Sequence, residues 1–213
     1  MKSTRSIMNN VTKTLLSHYR QHPNKNRPFI VGIDGLGGSG KTTLARNLKK
    51  ELMQVNWESV IVHMDDYIVE KSDRYETGNE EWYEYYALQW NIERLRKELF
   101  QRLHHNCAAI TLPFYEATVD EVVSKSIPLD GVKVVLIEGV FLQRKEWRDF
   151  FDFMIFMDCP HEIRAERVIK RDVYLGDVQA RLEKYKRRYW LAEERYLLHE
   201  NPSGQADYIE RVQ

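Results

Sequence analysis

The sequence predicts an α/β fold: a three-layer αβα sandwich around a mainly parallel five-stranded sheet, with a small helical lid. Three observations carry this. Short apolar runs of strand length alternate with longer segments whose apolar residues recur at helical spacing. A glycine-dense turn, "GIDGLGGSGKTT" (Gly32 to Thr43), lies between one such run and one such helix. Two later runs, "VVLIEG" and "FMIFMD", end in an acid beside a turn, where open α/β sheets place their chemistry.

The elements follow in order. Ile7, Val11 and Leu15, with Met8 and Leu16 beside them, predict an opening helix packed on the core. "HPNKNRP" (His22 to Pro28) reads as a turn, with Pro28 at the entry to the first strand, "FIV" (Phe29 to Val31). Lys41 to Met53 predicts a helix with Leu44 and Leu48 on one face. Glu58 to Asp66 is a second strand ending in two acids. Glu81 to Leu103 predicts one long helix, with Trp82 and Tyr86 paired at i,i+4 and a stripe through Leu88, Ile92, Leu95 and Leu99. Ala108 to Tyr115 predicts a strand or extended edge that Pro113 interrupts. Lys133 to Gly139 and Phe151 to Pro160 are buried strands. His161 to Asp172 and Val178 to Leu198 are helices, the second with Tyr185 and Tyr189 four apart. "NPSG" stops it, and Ala206 to Val212 supplies a last strand. In this reading residues 1–213 are a single domain, with 1–27 an N-terminal helix and turn and about 161–180 the lid.

Composition narrows the class. Of 213 residues, 43% are hydrophobic, and 32 basic residues balance 32 acidic ones, so no net charge favours a nucleic-acid or membrane-surface partner. No run of 18 apolar residues suggests a membrane span, and the first 21 residues lack a signal-peptide core, so a cytoplasmic protein is expected. Cys107 and Cys159, each among apolar residues, read as buried thiols in a reducing compartment.

Gly35 to Thr42 satisfies G-x-x-x-x-G-K-[ST], the P-loop motif, in its required strand-to-helix setting. Its glycines let backbone N–H groups converge on phosphates, and the following helix adds its positive end. Gly35, Leu36, Gly37, Gly38, Ser39, Gly40, Lys41, Thr42 and Thr43 are therefore the expected nucleotide-binding residues, with Lys41 reaching the β- and γ-phosphates and Thr42 binding Mg²⁺. Glu138, ending "VVLIE", is the expected second metal residue, while Asp158 is expected to cap the next helix.

"VGIDGLGGSGKTTLA", "VIVHMDDY", "LPFYE", "VVLIEGVF" and "RAERVIKRD" occur in an order that resembles the uridine kinase-like family of P-loop kinases, whose relatives include phosphoribulokinase and bacterial pantothenate kinase. The resemblance spans roughly residues 28 to 210. It implies a P-loop fold and transfer of the γ-phosphate of ATP, with Mg²⁺, to a hydroxyl of a nucleoside such as uridine or cytidine. The family's acceptor-activating aspartate falls on Asp65, its nucleoside-contacting segment on Pro113, Tyr115 and Glu116, and its lid arginines on Arg164, Arg167 and Arg171. Three places depart from the pattern: Asp66, Tyr67 and Ile68 follow the aspartate, "LGD" (Leu175 to Asp177) replaces Arg-Gly-Arg, and "TGNEEWYEYY" stands for a histidine-proline-aspartate segment. They concentrate around the acceptor and leave uridine itself unfixed.

Chemistry assigns the same roles. A carboxylate at a strand end, Asp65, can take the acceptor proton; Asp66 has no assigned role. Arg164, Arg167 and Arg171, spaced three and four apart, can present one helix face to phosphate, with Arg164 on the nucleotide and Arg167 and Arg171 on the transferring group. Tyr67, Trp82, Tyr86, Tyr115 and Glu116, with Asp65, are the expected acceptor-site residues. The expected partner is a small hydroxylated, nucleoside-like molecule, without nucleic acid or membrane; a homo-oligomer is left open. Pantothenate, a sugar phosphate or nicotinamide riboside are alternative acceptors, and a nucleotide-dependent ATPase switch is an alternative class.

Overall fold

The computed structural model describes residues 9–21 and 26–213. Ile7, Met8 and the first part of the turn read at His22 to Pro28 lie outside the described residues. Five strands form one wholly parallel sheet in the order β2-β5-β1-β6-β7: β1 (Phe29–Gly35), β2 (Ser59–His63), β5 (Val134–Gly139), β6 (Phe153–Asp158) and β7 (Tyr208–Arg211). β3 (Ala109–Glu116) and β4 (Glu121–Pro128) form a separate antiparallel pair.

The strands alternate their side chains between two helical layers, which explains their continuous apolar sequence. Phe29, Val31 and Ile33 of β1 and Val134 and Leu136 of β5 face α1 (Asn10–Gln21) and α2 (Lys41–Gln54), through Leu15, Leu44 and Leu48. Ile30, Val135 and Ile137 face a larger core with Trp90, Leu99, Phe100, Trp147 and Tyr196. α3 (Lys71–Arg74) follows β2.

The single helix expected over Glu81 to Leu103 is broken. α4 (Glu81–Tyr83) runs into a π turn (Glu84–Leu88), the chain turns at Gln89 to Asn91, and α5 (Ile92–Leu95) starts afresh. Asn91 is extended at ψ 91° and its side-chain oxygen accepts the Arg94 N–H, so a capping residue inside the apolar stripe ends one helix and begins the next. A second π turn (Arg96–Gln101) and α6 (Arg102–His104) complete it.

Pro113 does not interrupt β3: it stands opposite Ser124, and a strand paired on one side tolerates a residue without an N–H. After β6 come α7 (His161–Arg171), a 3₁₀ turn (Val173–Leu175) and α8 (Val178–Lys184). "LGD" caps α8: Asp177 accepts the Ala180 N–H at 2.9 Å, after Gly176 at φ 109°. α8 continues through a π turn (Tyr185–Trp190) into α9 (Leu191–Glu200), and α10 (Pro202–Gln205) leads to β7. Asp158 does not cap α7, whose N-cap is Pro160; it is exposed and faces Arg211 at 3.9 Å. Both cysteines are free, Cys159 buried and Cys107 half-buried. No helix among the described residues is long and apolar enough to cross a membrane.

Trp147 anchors the larger core. It is fully buried against Trp90 and Phe100, and its indole N–H donates to the Ile92 carbonyl. Trp147→Ala is expected to destabilise the fold by about 3–5 kcal/mol in urea unfolding; a loss under about 1 kcal/mol would show that the site collapses around the smaller side chain.

Candidate active site

The C-terminal ends of β1, β2, β5 and β6 open onto one cavity of about 1010 Å³. β1 is the centre, with β5 on one side and β6 on the other, which is the arrangement that leaves a crevice beyond the strand ends. The chain leaving β1 turns through Leu36 to Gly40 into α2. Gly38 and Gly40 have φ of 80° and 101°, and a Cβ on Gly38 would come within 2.8 Å of the Arg164 carbonyl oxygen. A Cβ on Gly40 would meet nothing nearer than 3.8 Å, so it would project into the cavity itself.

Three successive loop carbonyls are held by three cations. Lys41 Nζ donates to Leu36 O at 3.0 Å, Arg164 Nη1 to Gly37 O at 3.3 Å and Arg167 Nη1 to Gly38 O at 3.1 Å. The Gly37 N–H donates to Glu193 Oε1 at 2.7 Å, and Glu193 Oε2 accepts from Arg164 at 2.8 Å. Burial raises the Glu193 pKa, against the opposing pull of Arg164 and the Gly37 N–H. The N–H groups of Gly38 and Gly40 meet no protein acceptor among the described residues, and Lys41 and Thr42 open α2, where N–H groups lack intrahelical partners. Ser39 Oγ is also buried without a partner. A ring of unpaired donors around an open concavity fits the phosphates of a nucleotide.

Beside the loop, Thr42 Oγ1 donates to Glu138 Oε1 at 2.8 Å, and His63 Nδ1 lies 2.6 Å from the same oxygen. Burial pushes the Glu138 pKa up, but the hydrogen bonds from His63 and Thr42 and the charge of Lys41 outweigh it and hold the carboxyl below its usual range. The Glu138 hydrogen bond raises the His63 pKa in turn, ahead of the lowering effect of burial. A hydroxyl and one carboxylate are hard oxygen donors, a set that fits Mg²⁺ when phosphate and water complete its shell. Among the described residues no cluster of three His, Cys, Asp or Glu side chains could hold a metal alone.

Asp65 lies past the end of β2 in a 3₁₀ turn (Met64–Tyr67) and lines the cavity. Its carboxylate is open to the cavity yet encircled by protein there, so desolvation raises its pKa first, with Lys41 and Arg171 opposing and Glu138 adding to the rise. Asp66 is half-buried and is not among the lining residues; His63 and Lys125 are the cations acting on it.

Tyr75, Tyr85, Tyr115, Tyr174, Tyr185 and Tyr189 supply the aromatic wall. Of the residues expected on the acceptor side, Asp65 and Tyr115 line the cavity and Tyr67, Trp82, Tyr86 and Glu116 do not. Tyr67 is buried against Phe114 in the core. Trp82 lies under Arg195 and donates to Glu80, while Tyr86 lies under Arg144 with its hydroxyl on Glu200. The π turn and the break after it place Tyr85 and Gln89 on the cavity side instead, a shift the i,i+4 pattern does not carry. Glu116, at the end of β3, accepts from Thr118.

On the nucleotide side, Gly37 to Thr43 line the cavity, but Gly35 and Leu36 do not: Leu36 packs its side chain in the core. Arg164 is not among the lining residues. Its guanidinium is buried on Glu193, the Gly37 carbonyl and the Cys159 carbonyl, so it props the loop from behind. Arg167 and Arg171 line the cavity, Arg171 paired with Asp172 at 2.6 Å. Arg74, Gln89, Asp172 and Glu193 also line it and carry no motif of their own. Tyr185 and Tyr189 had a signal in their four-residue spacing, which pointed to a helix face without saying what it faces.

The chain matches the model of the phosphoribulokinase/uridine kinase family over residues 30–186. It is 27% identical over 148 residues to a uridine kinase of Leuconostoc citreum (69% of this chain, 70% of the relative) and 36% identical over 149 residues to one of Proteus mirabilis (68% of each). The solved structure of a possible uridine kinase from Bacillus stearothermophilus superposes with a TM-score of 0.77 at 41% identity, covering 93% of this chain and 94% of that one.

The Arg164–Glu193 pair tests how the loop is held. Arg164→Leu leaves the Glu193 carboxylate buried without its cation and is expected to cost about 3–5 kcal/mol of stability in denaturant unfolding. Unchanged stability would show that the carboxylate finds water or another partner.

Proposed function

The chain belongs to the phosphoribulokinase/uridine kinase family, and from that premise we propose that it transfers the γ-phosphate of ATP to a hydroxyl of a nucleoside, using Mg²⁺. The observation that carries this reading is the meeting of Lys41, Thr42 and Asp65 in one cavity walled by tyrosine rings. Phosphoryl transfer to an alcohol needs positioning, charge neutralisation and a group near the acceptor proton.

The loop N–H groups and Lys41 bind the phosphates, and Thr42 and Glu138 hold the metal ion. Bound Mg²⁺ neutralises charge between phosphate oxygens. Asp65 accepts the proton of the attacking hydroxyl. Arg167 and Arg171, on the 161–180 segment acting as a lid, stabilise the transferring group and exclude water. The tyrosine wall suits a planar base. Lys71 and Arg74 on the same wall are the features that would serve an anionic acceptor such as a sugar phosphate, but the Arg74 guanidinium is engaged by the Val69 carbonyl and the Tyr115 hydroxyl. That favours the uncharged nucleoside.

A product screen tests the reading: ATP and Mg²⁺ with free nucleosides, nicotinamide riboside, pantothenate and sugar phosphates, detected by mass. A nucleoside monophosphate is the expected product. ATP consumption with partner binding and no phosphorylated small molecule would identify a switch instead.

Asp65→Asn keeps the shape and removes the charge. It is expected to leave ATP binding intact and lower transfer by about two orders of magnitude, with Asp66→Asn as the near-neutral control. Because the Asp65 pKa is raised, wild-type kcat/KM should climb with pH through a midpoint above the ordinary aspartate value of 3.8, and that limb should vanish in Asp65→Asn. Normal transfer by Asp65→Asn would remove the base assignment.

Thr42→Ala removes an oxygen ligand while leaving the N–H cradle, so the Mg²⁺ concentration for half-maximal rate should rise. An unchanged Mg²⁺ titration would exclude direct coordination by Thr42.

A further inference from the structure

Among the described residues, two buried polar side-chain atoms without a hydrogen-bond partner belong to residues lining the cavity: Ser39 Oγ in the phosphate loop and Gln89 Oε1 on the acceptor wall. Gln89 is only 8% exposed. An amide oxygen removed from water and given no donor is costly, and such an atom is rare enough in a folded chain to require a physical account. Nothing in the loop chemistry uses it.

Its position is tightly held. The Gln89 carbonyl accepts the Val69 N–H at 3.1 Å, and the indole N–H of the next residue, Trp90, donates to the Met64 carbonyl at 2.8 Å. Met64 and Val69 bracket the turn that carries Asp65, so two hydrogen bonds set Gln89 against that carboxylate. The π turn just before Gln89 puts Tyr85 on the same wall, and π turns persist mainly where function requires their displaced register. Asn91 then redirects the chain into α5, so the amide sits at a pinned corner rather than on a mobile loop.

We propose that Gln89 is a specificity-determining residue of the acceptor site, its side-chain oxygen accepting a hydrogen bond from an N–H or O–H group of the nucleoside that Asp65 deprotonates. This rests on the nucleoside reading above. An acceptor lacking that donor would leave the oxygen buried and unpaired, the condition under which hydrogen-bonding sites reject analogues most strongly. The rest of the tyrosine wall recognises the ring by contact, which tolerates many planar molecules; Gln89 selects among them.

The test compares uridine with 3-methyluridine, 2′-deoxyuridine and 3′-deoxyuridine, each lacking one donor, in wild type, Gln89→Met and Gln89→Glu. Wild type is expected to lose about 10- to 100-fold in kcat/KM on one of the three analogues. Gln89→Met should lose the same factor on uridine, show no further loss on that one analogue, and keep the KM for ATP. Gln89→Glu, which retains an acceptor oxygen, should keep the discrimination. If Gln89→Met phosphorylates uridine as well as wild type, or loses equally on all four compounds, the role of Gln89 is overturned while the nucleoside reading stands. Should Gln89→Met fail to bind ATP, the wild-type analogue series decides alone, and three analogues within about twofold of uridine overturn the proposal. A wild-type protein that phosphorylates no nucleoside overturns both.

Discussion

A phosphate-binding loop must point its N–H groups outward, which turns its carbonyl oxygens inward, and those oxygens need partners. Here the carbonyls of Leu36, Gly37 and Gly38 accept in turn from Lys41, Arg164 and Arg167. Much of the site follows from that arrangement. Arg164 is buried and brings its counter-charge, Glu193 of α9, which takes the Gly37 N–H as well. The loop, α7 and α9 are therefore one electrostatic unit, although Gly37 and Glu193 are far apart in sequence.

A second buried unit locks the end of β1 beneath the loop. Asp34 is buried and accepts from the Tyr196 hydroxyl at 2.5 Å, the Gln143 amide at 2.9 Å and the Leu142 N–H at 3.3 Å. Burial raises its pKa, while these donors work against the rise. On the acceptor side the fully buried Arg188 joins Glu84 at 2.8 Å and the Arg74 carbonyl at 3.0 Å, tying the π turn before α9 to the wall carrying Tyr75 and Tyr85. Breaking any of these three sets would leave a charge buried and unpaired, which costs far more than the intact interaction gains. That asymmetry makes them devices for position more than for stability.

The sheet strands and the phosphate loop were legible because each is written locally. β1, β5 and β6 are buried on both faces and so read as continuous apolar runs, and the glycine loop satisfies a motif whose spacing is set by its own backbone. Glu138 and Asp65 were legible as acids at strand ends. β4 was not, because its side chains are largely exposed and carry no apolar alternation. The break at Gln89 to Asn91 was hidden because an apolar stripe records which residues are buried and not where the helix axis changes.

By itself, then, the sequence determined the parallel sheet, the loop with Lys41 and Thr42, and the strand-end carboxylates, since periodicity and short-range backbone chemistry suffice for each. Only the tertiary structure decided which tyrosines face the acceptor, that Arg164 faces Glu193 instead of the cavity, and that Gln89 stands beside Asp65 with an unpaired oxygen. These depend on which helix face meets which neighbour across long stretches of chain. A single residue of π-helical register rotates that face by about a quarter turn or more, and no local pattern encodes the rotation.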